Sequence, residues 1–292
     1  MASSMHLSRI RKWLASSPPV EGAIYYLREL LIGALRQGPI PQHVAFVMDG
    51  NRRFARNQGI ERVEGHNLGF EALAKILEVC YSSGIKVVTI YAFSIENFKR
   101  SKYEVDALME MAKLKLLQLS EHGELLERYG ASVRVLGRRD QIRPDVLEAV
   151  DRTVELTSGN GDAILNICFP DQLLFHSPET ITTQTLSDHM LTAGCPPLDI
   201  LIRTSGVERL SDFMLWQCHQ DTQIVFLDTL WPAFSLWEFL PVIWDWQRRI
   251  RKTGPRRELE FDFPSAYNSD SERMHADSPW LTEDDDIKFK SL

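Results

Sequence analysis

Six short apolar runs, separated by stretches with helical periodicity, make up the middle of the chain. Strands are predicted where Val, Ile, Leu and Phe concentrate between turn residues, at His43–Met48, Lys86–Phe93, Ser132–Leu136, Ala163–Phe169, Leu198–Ile202 and Ile224–Leu227. Several runs are almost wholly apolar, which is typical of parallel strands buried on both faces. Apolar residues three and four apart predict helices over Gly65–Tyr81, Tyr103–Arg128, Pro144–Thr157 and Ser211–His219. The alternation predicts an α/β fold with an open, largely parallel six-stranded sheet flanked by helices.

The two ends of the chain differ from this middle region, which spans residues 41–250. Residues 1–40 contain a predicted amphipathic helix, Glu21–Arg36, with an apolar face made by Ile24, Leu27, Leu31 and Leu35. This helix either caps the core or binds a membrane or a partner. The basic residues on its flank, Arg9, Arg11 and Lys12, slightly favour binding to a membrane. Residues 251–292 are acidic and lack an apolar period, so we expect a disordered tail.

The composition narrows the class of protein. With 44% apolar residues among 292, the chain can build a sizeable core. Its 33 Lys and Arg against 40 Asp and Glu give a net charge of -7, which argues against nucleic acid as a partner. The four cysteines stand far apart and no apolar run is long enough to span a bilayer, so we expect a cytosolic chain with reduced thiols.

The residues after the first predicted strand are the densest candidate site. Asp49 and Gly50 follow that strand, and a basic stretch comes next, with Arg52, Arg53, Arg56, Arg62 and His66. Gly50 permits a tight turn, and guanidinium groups suit phosphate oxygens. Asp49 would repel phosphates unless it held a bridging divalent cation, a role that suits Mg²⁺. The alternative is that Asp49 caps a helix among solvated arginines.

Two further polar clusters follow other predicted strands. The first carries hydrogen-bonding groups at Ser94 and Asn97, a basic group at Arg100 and two rings, Phe93 and Phe98, that can line an apolar slot. Its Ser-x-Glu sequence is also compatible with helix capping. The second cluster contains Arg203, Arg209 and Ser211 around a glycine turn at a predicted helix start, an arrangement suited to anions. Three strand ends therefore point to phosphate chemistry at one edge of the sheet.

Motifs of other enzyme classes are missing. The sequence has no GxxxxGK[ST], GxGxxG, HExxH or GxSxG, so nucleotide hydrolysis, NAD chemistry, zinc proteolysis and α/β-hydrolase catalysis lose support. One apolar helical face is either plain core, which helical spacing favours, or the lining of a lipid tunnel; it consists of Val105, Leu108, Met111, Leu114 and Leu117.

Five segments resemble the cis-prenyltransferase family, most closely its eukaryotic dehydrodolichyl diphosphate synthase branch. They are MDGNRRFAR, GHNLGFEAL, YAFSIENFKRS, LDILIRTSG and ERLSDFMLWQ, within about His43 to Trp246. The resemblance implies a cis-prenyltransferase fold with a hydrophobic tunnel. It also implies condensation of isopentenyl diphosphate onto an allylic primer such as farnesyl diphosphate, with Mg²⁺ as cofactor. The product would be a long polyprenyl diphosphate for dolichol and protein glycosylation.

The resemblance also assigns roles residue by residue. Asp49 matches the metal-linked aspartate and Asn97 a proton acceptor. The allylic diphosphate pocket is matched by Gly50, Asn51, Arg52, Arg53, Phe54, Arg62 and His66. Neighbouring substrate contacts are matched by Ser94, Ile95, Glu96, Phe98 and Arg100. The isopentenyl diphosphate site is matched by Arg203, Arg209 and Ser211.

The sequence departs from the family pattern at three places. The segment from Asp171 to Pro197 has less helical character than the usual crossover, and Asp221 stands near the position of a metal-binding Glu in bacterial relatives. An Arg-x-Gly motif of self-sufficient members is also missing near the end of the sequence. We therefore expect a heteromer with a Nogo-B-receptor-like accessory subunit of the same fold, held peripherally on the cytosolic face of the endoplasmic reticulum membrane.

Two rival functions follow from the same residues. A non-catalytic subunit of the complex would keep the phosphate site but lack turnover. A peripheral membrane adaptor would bind anionic lipid through basic residues of the N-terminal region, namely Arg9, Arg11, Lys12, Arg28 and Arg36. Metal-dependent turnover separates the first rival from a catalytic subunit, and lipid binding without prenyl transfer would support the second.

Overall fold

The computed structural model describes residues 18–254, apart from 122–123, 138, 140–141, 170–189, 193 and 220. The strands are β1 His43–Val47, β2 Val87–Tyr91, β3 Ala131–Leu136, β4 Ala163–Cys168, β5 Ile200–Thr204 and β6 Gln223–Leu227. The α-helices are α1 Pro18–Leu35, α2 Asn51–Gln58, α3 Arg62–Ser83, α4 Lys102–Glu121, α5 Glu124–Arg128, α6 Pro144–Thr157 and α7 Leu236–Thr253. Two 3-10 helices cover Ile95–Lys99 and Trp231–Ala233. The basic N-terminal residues, most of the acidic tail and most of the segment after Pro170 lie outside the described residues.

The six strands form one sheet in the order β3-β4-β2-β1-β5-β6. Every neighbouring pair is parallel, with Ala45 of β1 opposite Thr89 of β2 and Leu201 of β5. The predicted open six-stranded α/β sheet is therefore confirmed. Because all strands point the same way, the loops that leave β1, β2 and β5 meet at one edge of the sheet.

Burial differs between the central and edge strands. All five residues of β1 are buried, as are all five of β5, because helices and loops cover both faces of the sheet there. The larger core lies on one face, where Phe46 packs against the rings of Trp231, Phe234 and Phe239. At the edge, β6 alternates between partly buried and exposed residues, so one of its faces is open to solvent.

The loop after β5 differs from the prediction. Strand β5 continues through Thr204, so Arg203 is a buried strand residue and does not belong to the loop. The predicted helix Ser211–His219 is wrong, since residues 211–218 form consecutive turns. The physical reason lies in the backbone: Ser211, Asp212 and Met214 have φ angles of 51°, 62° and 50°, which a right-handed helix cannot contain.

Helix α1 spans Pro18–Leu35 and serves two environments along its length. Ile32 and Leu35 near its C-terminal end are buried in the core. Towards its N-terminal end, Tyr26 is 75% exposed and Leu30 is 66% exposed, so the core does not cover them. The face predicted from the sequence is therefore only partly the buried one.

Candidate active site

A cavity of about 710 Å³ opens at the edge of the sheet where β1, β2 and β5 end. It brings together predicted site residues from all three sequence clusters: Asp49, Gly50, Asn51, Arg52, Arg53, Arg62, His66, Ser94, Glu96, Asn97, Arg100, Arg203, Arg209 and Ser211. Three predicted residues are placed differently. Phe54 is outside the lining, Phe98 is partly exposed and packs edge-on against Phe93, and Ile95 opens a 3-10 helix.

Asp49 and Arg203 form an ion pair at the floor of the cavity. The Arg203 guanidinium is almost fully buried, and its Nη2 donates to Asp49 Oδ2 at 2.8 Å. Partial burial favours the neutral acid, but the hydrogen bond and positive charge of Arg203 outweigh it and lower the pKa of Asp49 below 3.8. Asp49 is therefore an ionised carboxylate at neutral pH. The N-cap position of α2 is occupied by Gly50, so Asp49 does not stand at the capping position.

Arg203 also organises the loop that follows β5. Its Nη1 donates to the Arg209 carbonyl at 2.7 Å and to the Ser211 hydroxyl at 2.9 Å. The Tyr91 hydroxyl, from the end of β2, donates to the Ser211 carbonyl at 3.1 Å. These bonds hold the loop over the carboxyl ends of two strands, with Arg209 and Ser211 at the cavity.

The turn between β1 and α2 brings the first arginines to the cavity. Gly50 has a φ angle of 110°, and an added Cβ would lie 2.9 Å from a methyl group of Leu230. Only glycine satisfies both constraints, so the tight turn predicted at Gly50 is confirmed. Arg53, in the first turn of α2, donates from Nη2 to the Ser205 carbonyl at 2.8 Å.

Glu104 is a site residue that the sequence reasoning missed. Its carboxylate is only 10% exposed and forms three ion pairs. The N···O distances are 3.3 Å to Arg62, 3.1 Å to Arg100 and 3.8 Å to Arg52. It neutralises part of the charge that three neighbouring guanidinium groups concentrate beside the cavity. The available signal was its position four residues after Arg100, the spacing of a helical ion pair.

His66 is a neutral imidazole in this basic surrounding. Desolvation, and secondly the charge of Arg100, lower the pKa of His66 to about 4. Within the described part of the chain, its buried Nε2 has no hydrogen-bond partner. At neutral pH the ring therefore presents an uncharged, unpaired polar nitrogen in a site lined by arginines.

The second sequence cluster forms a side wall of the cavity. Asn97 donates from Nδ2 to the Ser94 hydroxyl, so Ser94 does not act as the side-chain cap of its 3-10 helix. Arg100 follows this helix and pairs with Glu104. The wall thus presents an amide, a hydroxyl and a guanidinium group to the same space.

The remainder of the cavity is apolar. Side chains from the sheet and from α3 and α4 line it, namely Leu73, Leu77, Ile90, Phe93, Leu108, Met111, Leu116, Leu165 and Ile167. The α4 face that allowed two interpretations divides between them. Leu108 and Met111 line the cavity, Val105 and Leu117 pack against the core, and Leu114 is exposed. The cavity therefore has a basic polar part and an apolar part, which matches an amphiphilic anion.

The donor set at Asp49 fits a divalent cation that is shared with a substrate. Among the described residues, no group of three or more His, Cys, Asp or Glu is placed to hold a metal ion alone. Asp221 is not part of the cavity lining. Mg²⁺ usually binds proteins through one or two carboxylates and completes its shell with phosphates and water. A single ionised aspartate among several arginine side chains meets that requirement.

Comparison with known proteins identifies relatives along most of the chain. Residues 47–254 match the model of the undecaprenyl diphosphate synthase family. A dehydrodolichyl diphosphate synthase complex subunit of Schizosaccharomyces pombe is 45% identical over 82% of this chain and 98% of its own. The human dehydrodolichyl diphosphate synthase complex subunit is 40% identical over 78% of this chain and 73% of its own.

A solved structure supports the same assignment. Lavandulyl diphosphate synthase from Lavandula x intermedia, in complex with dimethylallyl diphosphate, superposes with a TM-score of 0.65 and 27% identity. The match covers 71% of this chain and 95% of the lavender protein. Fold, family model and relatives agree, and the chain belongs to the undecaprenyl diphosphate synthase family of cis-prenyltransferases.

Proposed function

We propose that this chain is the catalytic subunit of a dehydrodolichyl diphosphate synthase. It would condense isopentenyl diphosphate onto an allylic primer, farnesyl diphosphate, to make long polyprenyl diphosphates for dolichol and protein glycosylation. One observation carries the proposal: the ionised Asp49 and the buried Arg203 meet in a cavity that is basic in one part and apolar in the other. A diphosphate with a prenyl tail has the same division.

The polar part of the cavity suits the bond that must break. Ionising the C1–O bond of an allylic diphosphate places negative charge on the departing diphosphate, and prearranged arginines stabilise that charge. The assigned allylic residues are Gly50, Asn51, Arg52, Arg53, Arg62 and His66. A Mg²⁺ ion held at Asp49 would neutralise further diphosphate charge when bound.

Isopentenyl diphosphate, the homoallylic substrate, is assigned to the residues at and after the end of β5. Arg203, Arg209 and Ser211 would bind the diphosphate of isopentenyl diphosphate at the end of β5. Its C4 then attacks the allylic C1, and a proton leaves C2 as the new double bond forms. We assign acceptance of this proton to Asn97, which lines the same cavity beside Ser94. The apolar part would exclude water and receive the growing chain as a tunnel.

Turnover of the Asp49→Ala variant tests the assignment of the catalytic carboxylate. We expect its rate in the partner complex to fall about 10²–10³-fold, because the charge that holds the metal is lost. Asp106→Ala serves as the matched control, since Asp106 is an exposed residue of α4 outside the cavity lining. A thermal melt confirms that both variants fold. Near-normal turnover by Asp49→Ala would reject the proposed role. Equal losses of turnover in both variants would show that the effect is not specific to Asp49.

We further propose that the accessory subunit, a Nogo-B-receptor-like protein of the same fold, docks on β6. The similar yeast and human proteins are named as complex subunits. Edge strand β6 exposes Ile224 and Phe226, and Leu215 nearby in the sequence is 51% exposed. An apolar face beside an open strand edge is a surface that a partner of the same fold can cover.

The Phe226→Glu variant tests this interface, because a buried charge opposes docking. We expect co-purification with the accessory subunit to be lost. Leu156→Glu is the matched control, since Leu156 is 58% exposed on α6, which packs near β3 at the opposite edge of the sheet. Retention of the partner by Phe226→Glu, or its loss in both variants, would contradict docking at β6.

The membrane contact is proposed for α1. No helix among the described residues is long and apolar enough to cross a bilayer. The exposed Tyr25, Tyr26, Leu27 and Leu30 form an apolar surface on this helix that suits peripheral binding to the cytosolic face of the endoplasmic reticulum. Flotation with anionic liposomes should fall in Leu30→Glu and stay unchanged in Leu156→Glu. Unchanged flotation of Leu30→Glu would reject the contact.

A further inference from the structure

A fully buried hydroxyl binds the main chain of Asp49 from both sides. Thr204 is the last residue of β5, and its Oγ1 accepts a hydrogen bond from the Asp49 N–H at 3.1 Å. The same oxygen donates to the Asp49 carbonyl at 2.7 Å, while the Val47 carbonyl lies farther away at 3.5 Å. A hydroxyl has one proton to donate, so both capacities of Thr204 serve the same residue.

This contact lies where the ordinary sheet bonds end. Strand β1 stops at Val47, so Asp49 is beyond the regular ladder and is followed by the turn at Gly50. The Asp49 N–H is shared with the Val47 carbonyl at 3.0 Å, and the Trp231 N–H also donates to the Asp49 carbonyl at 3.0 Å. Two neighbouring residues of β5 thus hold Asp49. Arg203 binds the Asp49 carboxylate, and Thr204 binds the Asp49 backbone.

We propose that Thr204 is a positioning residue that fixes Asp49 while substrate occupies the site, an inference that rests on the proposed function. When the Arg203 guanidinium also binds an incoming diphosphate, its charge is shared between that diphosphate and the Asp49 carboxylate. The backbone bonds of Thr204 then keep the carboxylate at the cavity, ready for the metal ion. The loss of this hydroxyl therefore affects metal binding and turnover more than capture of the allylic diphosphate, which other arginines perform.

Thr204→Val removes the hydroxyl with little change of shape, and Thr204→Ser keeps it. In the partner complex we expect Thr204→Val to lower kcat and to raise the half-saturating Mg²⁺ concentration, each by about 10-fold or more. The KM for farnesyl diphosphate should change by no more than about twofold. Thr204→Ser should restore both kcat and the Mg²⁺ dependence.

Thr157→Val is the matched control for the loss of a buried hydroxyl. Thr157 also accepts from a backbone N–H, that of Val133 at 3.0 Å, and donates to a backbone carbonyl, that of Thr153 at 2.8 Å. It lies in α6, away from the cavity lining. We expect Thr157→Val to lower Tm without changing the Mg²⁺ dependence.

A second measurement does not depend on prenyl transfer. Binding of Mn²⁺ in the presence of isopentenyl diphosphate, followed by electron paramagnetic resonance, should weaken in Thr204→Val and remain normal in Thr204→Ser. If the wild-type complex makes no polyprenyl product, the proposed function fails while this binding comparison still decides the role of Thr204. Unchanged metal dependence and binding in Thr204→Val would overturn the inference. If the valine variant does not fold, Thr204→Ala against Thr204→Ser makes the same comparison, and a normal alanine variant overturns it.

Discussion

At the scale of single residues, the site depends on charges that hold one another in place before any substrate arrives. Arg203 keeps Asp49 ionised, and Glu104 keeps three arginines together at the other side of the cavity. Such pairs reduce the reorganisation needed when charge develops on a departing group. Substituting one member of such a pair is therefore destabilising, because the remaining partner is left as an uncompensated charge.

Glu104→Gln tests this balance. The three arginines would lose their shared counter-charge, and because they are partly exposed we expect the variant to lose about 1–3 kcal/mol of unfolding free energy. The KM for farnesyl diphosphate should fall, because the net positive charge beside the diphosphate rises. Glu110→Gln is the control on the same helix, where Glu110 pairs with Arg143 at the exposed surface, and it should change neither quantity much. A Glu104→Gln variant with wild-type Tm and KM would contradict the role of Glu104.

Some residues of the site can be predicted from the sequence and others cannot. Asp49 and Arg203 were predictable because each directly follows a predicted apolar run, and strand ends meet at one edge of a parallel sheet. Phe54, predicted to contact substrate, lies outside the cavity lining. Thr204 escaped prediction because its role depends on a contact between distant segments. Glu104 escaped it because two of its three arginine partners, Arg52 and Arg62, lie far from it in the sequence. The bond between Thr204 and Asp49 joins residues 155 positions apart, and no local pattern encodes such a pairing.

At the scale of elements, strands were predicted better than the helices and turns between them. All six predicted strands overlap the observed ones, and the apolar signal is strongest for β1 and β5, which are buried on both faces. Helix α7 was missed, although Ser235 and Glu238 form a capping box at its start. The wrong helix at Ser211–His219 has helical spacing, but bonds from Tyr91 and Arg203 to Ser211 anchor a left-handed turn there.

Helix α4 supplies a wall of the apolar cavity, and under the proposed function this wall limits product length. Ala112 lines the cavity, so Ala112→Phe would occupy space that the growing chain needs. We expect the products of the complex to shift to shorter chains, as resolved by reversed-phase thin-layer chromatography. Leu114→Phe is the control, because Leu114 is 51% exposed on the same helix. An unchanged product distribution in Ala112→Phe would mean that the chain does not pass α4.

At the scale of the whole molecule, buried neutral histidines link the stability of the fold to pH. His43 is fully enclosed, with its ring nitrogens 2.9 Å from the Pro196 carbonyl and 2.7 Å from the Thr89 hydroxyl. Desolvation lowers the pKa of His43 to about 4 from 6.5. Between pH 4 and pH 6.5 the unfolded chain therefore binds a proton at His43 that the folded chain does not bind. The stability of the fold consequently falls as pH drops from 6.5 to 4.

The contribution of His43 is about 3 kcal/mol at most, from the size of the pKa shift. Thermal melts at pH 7.5, 6.5, 5.5 and 4.5 should show that His43→Gln flattens this dependence of Tm on pH, whatever its own Tm at neutral pH. His219→Gln is the control, because His219 is exposed. A pH slope of His43→Gln equal to that of the wild type would show that His43 does not carry the effect.

We propose that this chain is the catalytic half of a two-subunit prenyl-chain synthase. The most direct test is incorporation of labelled isopentenyl diphosphate onto farnesyl diphosphate with Mg²⁺. The reaction is run with the chain alone and with the chain co-expressed with the accessory subunit of its host. We predict long polyprenyl products only in the presence of the partner, and none when the chain carries Asp49→Ala. Full activity of the chain alone would contradict the heteromer, and no product from the folded complex would contradict the catalytic assignment.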